Sequence, residues 1–193
     1  MDELRESAKA LYSPQQDRRY TYEDYAAWDD GKRWELIDGI PFEMSSPTMT
    51  HQSILMELSW QVRGFLRGKT CKVFAAPFDV RINADTRDDI VVQPDLLVVC
   101  DRAKLDEKGC IGAPDFIVEI LSPSTVRHDR VVKFNVYQDA GVREYWIVDP
   151  DVKVVNVFLL ENGRYRSTQY AGAVSAPVQT LPGLEISLPD IFA

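Results

Sequence analysis

Basic residues are in short supply. The 193-residue chain carries 22 Lys and Arg against 30 Asp and Glu, a formal net charge of -8 with a pI near 4.8. Phosphate binding normally shows as a cationic surplus, so the totals argue against a nonspecific nucleic-acid binder. A nucleic-acid reading then requires that the basic residues cluster and that the carboxylates recruit Mg²⁺. Cysteine is scarce as well. Cys71, Cys100 and Cys110 make an odd count without CxxC or Cys/His spacing, which suggests neither a disulfide framework nor a structural zinc site. No apolar run approaches the ~20 residues needed to span a bilayer, and no basic stretch followed by an apolar one marks a secretory signal. A soluble protein of the reducing cytoplasm, with no membrane partner, is the expectation.

What is present is ordinary globular material, 45% hydrophobic and 27% charged in 22.0 kDa, enough for one domain with a proper core. Residues 1–19 are polar and aperiodic, with Ser13-Pro14 and Asp17-Arg18-Arg19, and read as a flexible arm ahead of a domain over 20–193. Thr21 with Asp24 predicts a capped short helix through Trp28. Asp38-Gly39 between two apolar runs predicts a hairpin. Thr50 is placed to cap a main helix in which Ile54, Leu58, Val62 and Phe65 recur at helical spacing, with Gly68 closing it. Lys72 to Asn83 reads as a strand broken at Pro77, and Asp101 to Ala113 as a polar connection. A helix over Thr125 to Ala140 between two apolar strands predicts a βαβ crossover, and the end of the chain predicts a meander.

One residue stands out. Asp115-Phe-Ile-Val-Glu-Ile-Leu-Ser122 reads as a strand buried on both faces, yet Glu119 occupies a position where Val or Ile belongs. An unpaired buried carboxylate costs several kcal/mol or takes up a proton, so a cation or a metal must compensate it. Pro94-Asp95 opens another apolar strand, and side by side the two strands bring Asp95 and Glu119 together. Asp115 competes as the partner but fails on distance, since four residues along one strand span roughly 13 Å. On the crossover helix, Asp129, Lys133, Val136, Tyr137 and Ala140 share one side. Lys133 there either covers the core with its stem or reaches toward the sheet. Taken singly, Asp95 also reads as a residue following a turn proline, Glu35 as the solvent side of a hairpin strand, and His51 as a capping histidine.

A family pattern runs through these residues. Glu35, His51, Pro94-Asp95, Glu119 to Thr125, Asp129-Arg130, Lys133, Tyr137 and Gly141-Val-Arg-Glu-Tyr-Trp-Ile-Val-Asp-Pro150 together resemble the bacterial Uma-two family. That family is similar to restriction-endonuclease-like nucleases. The resemblance implies an α/β fold with a mixed sheet flanked by helices, an N-terminal hairpin and a C-terminal β-meander. It also implies a PD-(D/E)xK-type site on Mg²⁺ or Mn²⁺, with Asp95 and Glu119 as metal ligands together with the Ile120 carbonyl. Position 121 is Leu, so the signature lysine is matched by Lys133 on the following helix. Glu35 adds to the catalytic set, and His51, Ser124 and Arg130 fall to the substrate. The expected activity is Mg²⁺-dependent endonuclease hydrolysis of phosphodiester bonds in DNA, with a homodimer formed by an edge strand near Lys153 to Leu160. Two alternatives stay open: an inactive relative serving as a nucleic-acid or protein-interaction module, and a glycosidase-type hydrolase using Asp95 and Glu119 without metal.

Overall fold

The computed structural model describes residues 18–122 and 128–193. Most of the expected arm lies outside them, but Arg18 and Arg19 already touch the fold, at Asp24 and at the Asp38 carbonyl. Helix α1 (Tyr22–Ala26) starts as its sequence predicts, with the N–H and Oγ1 of Thr21 both meeting Asp24 Oδ2. Strands β1 (Trp34–Ile37) and β2 (Ile40–Glu43) form the hairpin, and the turn residues Asp38 and Gly39 both take positive φ, 50° and 73°, as a type I′ turn requires. Helix α2 (Met49–Leu66) starts two residues earlier than expected. Its cap is Thr48, whose hydroxyl accepts from the His51 N–H, not Thr50.

The stretch read as one broken strand is two strands in different sheets, β3 (Lys72–Ala75) and β4 (Val80–Arg81). After β5 (Val91–Val92) and β6 (Leu96–Val99), the supposed polar connection contains a 3₁₀ turn and a small hairpin, β7 (Leu105–Asp106) and β8 (Gly109–Ile111). Strand β9 (Phe116–Ile120) carries Glu119. A π-helical turn over His128–Lys133 leads into helix α3 (Phe134–Ala140), which Gly141 ends at φ 84°. The start of that predicted helix lies outside the described residues. Strands β10 (Glu144–Asp149), β11 (Val154–Glu161) and β12 (Arg164–Ala171) make the meander. The chain closes with β13 (Ser175–Pro177), β14 (Glu185–Ser187) and α4 (Leu188–Ile191).

The strands form two mixed six-stranded sheets, β2-β1-β5-β4-β8-β7 and β12-β11-β10-β9-β6-β3, plus the β13-β14 ribbon. Strands β9 and β10 run parallel, so the chain between them is a crossover. Period-two alternation sorts the second sheet into two cores. Leu96, Val98, Phe116, Val118, Ile120, Trp146 and Val148 pack under α2, the ribbon and α4. Leu97, Val99, Ile117, Leu121, Tyr145 and Ile147 face the other way, onto Tyr137 of α3 and onto Ile37, Val80, Val92 and Cys110 of the first sheet. Glu119, in step with Ile117 and Leu121, faces this second core.

Two sequence expectations are corrected here. Strand β11 is hydrogen-bonded on both sides, so the segment from Lys153 to Leu160 is no edge, and the outer strand is β12. Cys71 and Cys100 form a disulfide. They are 29 positions apart, and only the pairing of Lys72 with Val99 in β3 and β6 brings them opposite, which spacing along the chain does not reveal.

Candidate active site

Register places the two acids of interest. Leu96 pairs with Val118 and Leu97 with Ile117 in antiparallel β6 and β9, so one further step sets Asp95 opposite Glu119. By parity both project from the same face of the sheet. Glu119 Oε2 lies 3.4 Å from the Asp95 backbone N, and Asp95 Oδ2 accepts the Ile120 N–H at 2.7 Å. Asp115, the rejected partner, is held at the other end of β9 by the Cys100 N–H and by Arg143.

Lys133 closes the cluster from the π-helical turn. Its ammonium donates to Glu35 Oε1 at 2.8 Å and to Glu119 Oε1 at 2.9 Å, and stands 3.7 Å from Asp129 Oδ1. It is 3% exposed, so the choice left open by the sequence falls to the interior position. The Tyr137 hydroxyl donates a further bond to Glu119 Oε1 at 2.8 Å. Glu35 comes from β1 of the other sheet and also accepts the Gln93 N–H. His51, on the first turn of α2, puts Nε2 3.0 Å from Asp95 Oδ2, while its Nδ1 is buried without a partner.

Most of these groups, though not Tyr137 or Gln93, line one cavity of about 210 Å³ between the two sheets and the start of α2. Arg33, Glu35, His51, Asp95, Glu119, Ile120, Asp129 and Lys133 all border it. Ser124 lies outside the described residues. Arg130 does not border this cavity and is instead paired with Asp149 at 2.8 Å. Sequence reasoning left four neighbours out of the site: Asp129, Tyr137, Gln93 and Arg33. Asp129 did leave a signal, because an acid four residues before a lysine on one helical side is an ion-pair spacing. Gln93 left none.

Electrostatics follow from the imbalance of charge. Burial pushes the Glu119 carboxyl well up; Lys133 pulls it back, and the Asp129, Asp95 and Glu35 carboxylates raise it again. Burial alone would lower Lys133, but Glu119, Glu35 and Asp129 reverse that and hold the ammonium protonated well above its ordinary range. Tyr137 is raised by burial and by Glu119 and Glu35, which keeps its hydroxyl a donor. Three carboxylates thus converge around one ammonium with Asp95 beside Glu119, and that excess of acids, made of hard oxygen donors, suits a divalent cation. Among the described residues, no three acid, histidine or cysteine side chains are already drawn together as a metal cage. The ammonium of Lys133 sits between Glu35, Glu119 and Asp129, keeping the carboxylates paired with it.

Against known proteins, the Uma2 model, described as "Putative restriction endonuclease", matches residues 22–189. The chain belongs to the Uma2 family. A relative, "Uncharacterized protein slr1290" of Synechocystis, is 31% identical over 129 residues, 65% of this chain. The chain spans 66% of that relative's length. A solved structure described as a putative nuclease belonging to DUF820, from Anabaena variabilis, superposes with a TM-score of 0.73 over 90% of this chain and 97% of that one. At 21% identity the likeness shows the fold, which is restriction-endonuclease-like. No helix among the described residues is long and apolar enough to cross a membrane.

Proposed function

We propose that the protein is a divalent-metal-dependent endonuclease that hydrolyses phosphodiester bonds in DNA. The observation that carries this reading is the convergence of Asp95 and Glu119 from adjoining strands beside a buried lysine, in a cavity open to a substrate. Asp95 and Glu119, with the Ile120 carbonyl, would hold Mg²⁺ or Mn²⁺, and Glu35 would support it from the facing sheet. When bound, such an ion supplies charge stabilisation at the phosphorus oxygens and a more acidic water.

The chain's own groups do the rest. Lys133, kept protonated by its three acidic neighbours, serves as a donor that orients water or balances charge on the phosphoryl oxygens, not as a base. Tyr137 fixes the Glu119 carboxylate. His51 positions Asp95 through Nε2, and the N-terminus of α2 beside it favours an anion at that side of the cavity. Arg130, paired with Asp149 away from the cavity, would meet the nucleic acid beyond the cleaved bond.

Calorimetric titration with Mn²⁺ tests the metal: wild type is expected to bind and Glu119→Ala to lose binding, and equal affinity would remove the site. Plasmid and oligonucleotide cleavage, on DNA and RNA with Mg²⁺, Mn²⁺ or Ca²⁺, tests the reaction. Binding of nucleic acid without any cutting under all these conditions would favour the non-catalytic module instead. A homodimer, if edge pairing makes one, would use β12, which is exposed along most of its length. Light scattering during size-exclusion chromatography measures that directly.

A further inference from the structure

The cavity is acidic, yet a phosphodiester has to enter it. Lys133 cannot meet the incoming charge freely, because Glu35, Glu119 and Asp129 already surround its ammonium. Arg33 is different. It lies two residues before Glu35 and so projects from the same side of the β1 segment, and it borders the same cavity.

The way Arg33 is held is the key observation. Its Nε and Nη2 donate to Gln93 Oε1 at 3.1 and 2.8 Å, so a neutral amide fixes the fork where a carboxylate would usually sit. Gln93 is only 7% exposed, and its own amide nitrogen donates to the Tyr25 hydroxyl at 3.0 Å and to Asp79 Oδ1 at 2.9 Å. Its main-chain N–H donates to Glu35 Oε1 at 2.8 Å. With Tyr25 and Asp79 taking its NH₂, the Gln93 oxygen can only face Arg33. Arg81, Arg130 and Arg143 each end on a carboxylate; Arg33 ends on none among the described residues, and its Nη1 has no partner there.

We propose that Arg33 binds a non-bridging oxygen of a substrate phosphate through its Nη1 edge, with Gln93 as the positioning residue that orients the guanidinium without a direct carboxylate contact. The proposal rests on the nuclease reading and names the group that meets the substrate's charge. A planar fork gripped on one edge presents the other edge in a fixed direction, which a lysine on a flexible stem does not. A buried glutamine is needed for this, since a glutamate in its place would neutralise the cation it orients.

Binding of a short duplex oligonucleotide in Ca²⁺, followed by fluorescence anisotropy across a salt series, tests it. Arg33→Gln keeps the length and polarity and is expected to bind about 10-fold or more weakly, the loss of a hydrogen bond to a charged group. The slope of log affinity against log salt is expected to fall by about 1, because one phosphate contact is gone. Arg33→Lys should keep the slope and lose part of the affinity. Gln93→Glu should lower the slope as Arg33→Gln does, although the guanidinium remains, a result that a merely structural glutamine would not produce. If Gln93→Glu fails to fold, as judged by its thermal transition, the two Arg33 variants decide alone.

Wild-type slope and affinity in Arg33→Gln would overturn the proposal, and so would a wild type that binds no DNA in Ca²⁺. A wild type that binds with the expected slopes but cuts nothing with any metal keeps the Arg33 contact and removes the nuclease reading. A wild type that cuts, with Arg33→Gln unchanged in affinity, does the reverse.

Discussion

Lys133 is the residue on which the charge balance of the interior turns, because it is the cation that Glu35, Glu119 and Asp129 share. Removing one partner of a buried ion pair leaves the other charge uncompensated, at a cost of about 3–5 kcal/mol. Lys133→Met should therefore lower stability by that order in urea titrations, and added Mg²⁺ should restore part of it. A variant as stable as wild type would mean that the carboxylates are not charged together. Cys110 gives a separate test by pH. Burial pushes its thiol up from 9.0 to about 11, helped by Asp115 and Asp106 and opposed by Lys104. The folded thiol then keeps its proton at a pH where the unfolded one has lost it, so this contribution to stability is complete below pH 9 and falls as pH rises towards 11. Alkylation by iodoacetamide at pH 8 should be slow in the native protein and fast after unfolding. Rapid native labelling would contradict the burial.

Helix α2 shows how one element separates packing from exposure. Ile54, Leu58 and Val62 are buried on its inner side, while Met56 and Trp60 are 68% and 72% exposed on its outer side. Leu58→Ala should cost about 2–5 kcal/mol, whereas Trp60→Ser should stay within about 0.5 kcal/mol, both read from urea unfolding. That inner stripe was legible because helical spacing repeats over 18 residues. The Asp38-Gly39 hairpin was legible for a different reason, since few residues but these accept positive φ in succession. Short strands left no such mark. With two residues each, β4, β5 and β7 are too brief for any period to show, and their pairing supplies what local sequence does not. Glu119 was conspicuous because a carboxylate contradicts the apolar run around it. Gln93 was invisible, because its importance comes from Tyr25, Asp79, Arg33 and Glu35, which are up to 68 positions away.

The arrangement of whole sheets was beyond local reading in the same way. A mixed sheet with a crossover followed from the β9, helix, β10 order, but nothing local separates β3 from β4 into two layers. That separation matters to function, because it sets Glu35 on one sheet across from Asp95 and Glu119 on the other and leaves the cavity between. The molecule that results carries a net charge of -8, so its overall charge opposes the approach of a nucleic acid. On the proposed function, local attraction for a substrate phosphate would come from Arg33, from the N-terminus of α2 and from a divalent ion held by the carboxylates. With the ion removed, the acids around Lys133 outnumber the cations, and repulsion dominates. Duplex binding measured by anisotropy in about 50 mM salt should thus be weak in EDTA and at least about 10-fold tighter in Ca²⁺, with a shallow salt dependence from few phosphate contacts. Glu119→Ala should show little response to Ca²⁺. Equal affinity with and without the ion would mean that DNA, if bound at all, binds elsewhere on the surface than at the cleft between the sheets.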